Sequence, residues 1–84
     1  MTSSQELHPV SGARFVCERD GEVYRFAVHA AGGATYSGTL RWDANGQALA
    51  EPACADVWAQ AELLKLARVL KHGMPARLSR WRGP

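Results

Sequence analysis

Two cysteines and three histidines are the residues of this 84-residue chain best suited to bind a metal. Cys17, Cys54, His8, His29 and His72 show no C-x-x-C or H-x-x-x-H spacing, so no metal-ligand set is legible. Cys54 precedes a predicted helix start, where a thiol pKa can be lowered, but no basic residue adjoins it in sequence. The serines (Ser3, Ser4, Ser11, Ser37, Ser79) lack the G-x-S-x-G setting of an activated nucleophile. No pair of carboxylates falls on the apolar face that the strands below define, so acid–base chemistry has no visible frame. Neither glycine-rich phosphate motif occurs, and Ala30-Ala31-Gly32-Gly33 reads as a hairpin loop. One sheet under one helix should leave little volume for a ligand pocket of ~300 Å³ or more. The expectation is a non-enzymatic protein with no metal and no cofactor.

Charge offers more than catalysis does. The net charge is only +2, but it is divided unevenly. Residues 1–64 hold four arginines against all eight acids, whereas Lys65, Arg68, Lys71, Arg77, Arg80 and Arg82 follow with no acid among them. Such a split suggests an anionic partner for the basic end: nucleic acid, an acidic protein surface, or the acidic body of a second copy. Cations also collect at helix C-termini, where they favour the negative end of the macrodipole. Arg77-Leu78-Ser79-Arg80-Trp81-Arg82 sets an aromatic among cations, a combination that single-strand binders use.

The elements that must position these groups follow from turns and periodicity. Asp20-Gly21 between Arg14–Arg19 and Glu22–His29 predicts a two-residue type I′ hairpin, with Cys17 facing Tyr24 and Phe15 facing Phe26. A three-residue loop over Ala31–Gly33 leads into Thr35–Trp42 and sets Val28 opposite Tyr36 and Tyr24 opposite Leu40. Asn45-Gly46 predicts a second type I′ turn pairing Trp42 with Leu49, so Leu49 joins the apolar face of a short fourth strand ending before Pro52. That face contains Phe15, Cys17, Tyr24, Phe26, Val28, Tyr36, Leu40, Trp42 and Leu49. The opposite face should expose Arg14, Arg25, His29, Thr39 and Arg41.

A one-sided sheet needs a cover. Asp56 to His72 contains no Gly or Pro and places Ala59, Leu63, Leu66, Ala67 and Leu70 on one stripe, expected to sit on Gly38 and the aromatics. Asp56 suits the N-cap and Gly73 the left-handed C′ position, with Pro75 blocking continuation. Trp58 and Val69 fall nearly opposite the stripe, which asks for cover by the chain's own end or by another copy.

The expected architecture is α+β: a four-stranded antiparallel meander with one C-terminal helix packed across one face. Residues 1–12 are read as a flexible N-terminal tail, 13–73 as the single ββββα domain, and 74–84 as a basic C-terminal tail. No apolar run is long enough to cross a membrane, and two cysteines make no disulfide framework, so a reducing cytoplasm is expected. The function read from this is a small protein-interaction module, binding a protein partner or itself as a homodimer. Its surface would comprise Trp58, Val69, Lys65, Arg68, Arg77, Arg80, Trp81 and Arg82, with an edge strand, the first before the fourth, as a second means of self-association. The alternative is a nucleic-acid-binding domain using the arginine-rich end and the exposed Arg/Thr sheet face. Strand aromatics that all point to the core, and the acidic body, count against it.

Overall fold

Strand propensity and turn chemistry build a meander, to which the end of the chain adds a strand. The computed structural model describes residues 11–83. Its elements are β1 (Ala13–Asp20), β2 (Val23–Ala30), β3 (Thr35–Trp42), β4 (Ala48–Glu51), α1 (Val57–Gly73) and β5 (Arg77–Arg82). All strands join one antiparallel sheet in the order β4-β3-β2-β1-β5. The predicted meander and covering helix are both present. The expectation of a flexible tail over 1–12 falls, for 1–10, outside the described residues. Ser11 and Gly12 are held, since Trp81 Nε1 donates to the Ser11 carbonyl (2.9 Å) and the Ala31 N–H to that of Gly12 (2.9 Å).

The first hairpin turns one residue later than expected. Asp20 pairs with Val23, and the central residues are Gly21 and Glu22, with positive φ (67°) at Gly21 and not at Glu22. That is the type II′ pattern, which places its glycine first and spares Asp20 a left-handed backbone. Cys17 therefore faces Phe26 and Phe15 faces Val28. A shift of two registers preserves the side-chain faces, so the core set is unaffected. The β2–β3 register is as predicted, with Tyr24 opposite Leu40 and Val28 opposite Tyr36.

The third turn departs by one residue, and this does change a face. The Asp43 carboxylate accepts the N–H groups of Asn45 and Gln47 (both 2.9 Å), and the Gly46 N–H bonds to the Asp43 carbonyl (3.0 Å). Asp at the first turn position and a left-handed Gly46 (φ 80°) at the fourth make a three-residue loop on a type I turn. Trp42 then pairs with Ala48, and Leu49 opposes Arg41 on the outer face. Leu49 is half-buried outside the core, while Ala48 and Ala50 pack against it.

The helix stripe is as predicted: Ala59, Leu63, Leu66, Ala67 and Leu70 are all buried. Asp56 caps the start through the Ala59 N–H (2.9 Å). At the other end the left-handed residue is Met74 (φ 45°), not Gly73, which stays helical; the Met74 N–H returns to the Leu70 carbonyl. The Met74 side chain packs on the core. Gly38 is not the helix's seat. A Cβ there would lie 2.5 Å from the Glu51 carbonyl oxygen and 2.9 Å from Pro52 Cδ, so it is the end of β4 that approaches it.

Residues 77–82, read as tail, are strand β5, which pairs with β1 and buries Leu78 opposite Cys17. The connection is fastened from both sides. Tyr24 donates its hydroxyl to the Pro75 carbonyl (2.6 Å), and the Arg19 N–H bonds to that of Ala76 (2.9 Å). β1 is thus an interior strand, and the sheet edges among the described residues are β4 and β5.

Candidate functional site

The sheet face expected to display free arginines is largely self-paired. Arg41 makes a two-pronged contact with Glu51 (2.7 and 3.2 Å), and Arg25 lies 3.5 Å from Asp20. Hydrogen bonding by Arg41, then its charge, holds the Glu51 carboxyl below its ordinary range. Register sets Arg77, Glu18, Arg25, Thr39 and Glu51 in one row across the sheet, so opposite charges sit side by side. Thr39 and His29 are half-buried. Arg14 is also half-buried, with Nε lacking a hydrogen-bond partner among the described residues.

Trp58 belongs to the fold. Its ring lies 6.3 Å from that of Phe15 at a tilted 59°, reaching sideways from the first helical turn onto the sheet. The proposed pairing of Trp58 with Val69 on a free second face is therefore broken. Val69 is 48% exposed and Val57 84%, each as an isolated valine. Scattered apolar residues of this kind are ordinary surface.

The C-terminal cations divide between two places. Arg77, Arg80, Trp81 and Arg82 lie on β5, an edge strand, so helix-end preference does not account for them. Arg77 and Trp81 share the outer sheet face, whereas Arg80 and Arg82 share the face of Phe15 and Ala13. Trp81 is half exposed (52%), with its indole N–H tied to Ser11. Charge along an edge discourages pairing with other chains, which gives these arginines a structural role.

Lys65, Arg68 and Lys71 go elsewhere. Together with Ala61 and Leu64 they form one wall of an open groove of about 580 Å³, whose other wall is Trp42, Gly46, Gln47 and Ala48 of the β3–β4 turn. The expectation that this architecture leaves no such volume is corrected. The β3–β4 turn and the flank of α1 face each other across the groove. Among the described residues no carboxylate lines the groove. Lys71 Nζ donates to the Gly46 carbonyl (3.2 Å) and spans the groove at one end. Lys65 pairs with Glu62 (2.8 Å), and Arg68 is exposed with no ion pair among the described residues. The floor is apolar: Trp42 is half-buried with its ring edge-on to Tyr24 (6.0 Å, 80°), and Leu64 packs against the core. A second hollow of about 340 Å³, lined by Glu18, Arg19, Asp20 and Arg25, balances its own charges.

The cysteines sit apart from this groove. Both are free and buried. Burial pushes the Cys17 thiol up to about 11, and burial followed by the Asp56 charge raises Cys54. The lowered thiol considered for Cys54 is thus reversed: its N–H is held by Gln60 Oε1 (2.9 Å), and its sulfur is enclosed. Among the described residues no three His, Cys, Asp or Glu side chains gather as a metal site. Among the described residues no helix is long and apolar enough to cross a membrane.

The groove was missed in the sequence because it lies between two segments distant in the chain, the β3–β4 turn and the flank of α1; the i, i+3, i+6 spacing of Lys65, Arg68 and Lys71 was the available signal. No protein-family model, no curated protein and no solved structure matches the chain.

Proposed function

We propose that this chain is a non-enzymatic protein-interaction module that binds an acidic partner through the cations of α1. The observation that carries the reading is the groove, which Lys65, Arg68 and Lys71 line together and which no carboxylate lines among the described residues. Elsewhere, arginines of the sheet face are already engaged by Asp20 and Glu51. Self-association has less support, because Trp58 packs on Phe15 and β1 is covered by β5. Pairing of two β5 edges would also bring arginines of both copies together.

Fluorescence anisotropy with labelled oligoglutamate and with a labelled single-stranded oligonucleotide, each at two salt concentrations, tests this. The expected result is oligoglutamate binding that weakens as salt rises. Binding of the oligonucleotide alone transfers the site to nucleic acid, and binding of neither removes an electrostatic partner.

A further inference from the structure

Resting on that reading, we infer that the partner segment is amphipathic: an acidic stretch whose large apolar side chains enter the groove while its carboxylates meet the rim. A purely electrostatic site needs only exposed cations. This one is also lined by Trp42, Leu64 and Ala61 beside the charges of Lys65, Arg68 and Lys71. The groove is open, with a volume of about 580 Å³, enough to seat apolar side chains of a segment laid along it. An acidic segment with leucines at helical spacing matches both features, because apolar burial supplies affinity and the basic rim fixes orientation.

Three tryptophans make the surfaces separately readable. Trp42 lies in the groove, Trp58 on Phe15 and Trp81 on β5, so their indole N–H signals report different regions. The probes are a glutamate peptide carrying leucines at i, i+3 and i+4, and an oligoglutamate of the same charge. The leucine peptide should bind at least ~10-fold more tightly and shift the Trp42 indole signal while leaving that of Trp81 in place. Ala61→Phe, which fills the groove without altering charge, should remove that advantage, so that the two peptides bind alike. Equal binding of the two peptides, or a shift at Trp81 instead of Trp42, overturns the amphipathic groove while leaving an acidic partner standing. Binding of neither peptide at low salt overturns the reading on which it rests.

Discussion

Cys17 shows how far a residue's surroundings can redirect its chemistry. The thiol lies between Phe26 and Leu78 in the register and is fully buried, and its pKa is raised from 9.0 to about 11. A group whose folded pKa lies above its unfolded value stabilises the fold fully below the unfolded value and loses that contribution as pH rises through the folded one. Stability should therefore hold to about pH 9 and fall by up to ~3 kcal/mol toward pH 11, at roughly 1.4 kcal/mol per unit. Burial raises Tyr24 and Cys54 as well, so both act in the same direction. Urea midpoints measured across this interval should drop, and Cys17→Ala should flatten the drop; an equal slope in both proteins contradicts the assignment.

Among the elements, those with strong local signals were legible and the edge was not. The helix stripe was readable because five buried residues repeat at helical spacing between a capping Asp56 and Pro75. Strand faces survived a misplaced first turn because a two-residue register shift keeps parity. Leu49 was placed on the wrong face because the Asp43 carboxylate lengthens the loop by one, a choice that the Asn-Gly dipeptide conceals. β5 was hidden for another reason: only Leu78 is buried, and Arg80 and Arg82 occupy the other inward positions. An edge strand lacks the alternation of an interior one, and it is recruited by Arg19 and Tyr24, distant in sequence. Leu78→Ala should cost ~2–3 kcal/mol if β5 is integral to the sheet. A loss below half a kcal/mol in urea unfolding would return residues 77–82 to the status of a tail.

For the whole molecule, the near-neutral net charge conceals a spatial division rather than a simple gradient along the chain. Arg25 and Arg41 of the sheet face are matched by carboxylates, β5 arginines guard an edge, and the cations of α1 border a groove that no carboxylate lines among the described residues. Within the last group, Lys65 pairs with Glu62 and Lys71 bonds to the Gly46 carbonyl, whereas Arg68 has no ion pair among the described residues. The most direct test compares two double variants of equal net charge in oligoglutamate binding at low salt. Arg68→Gln with Lys71→Gln should weaken binding by roughly tenfold, whereas Arg77→Gln with Arg80→Gln should change it by less than about twofold. Equal losses in the two variants, or a larger loss from the β5 pair, would contradict recognition of an acidic partner by the groove.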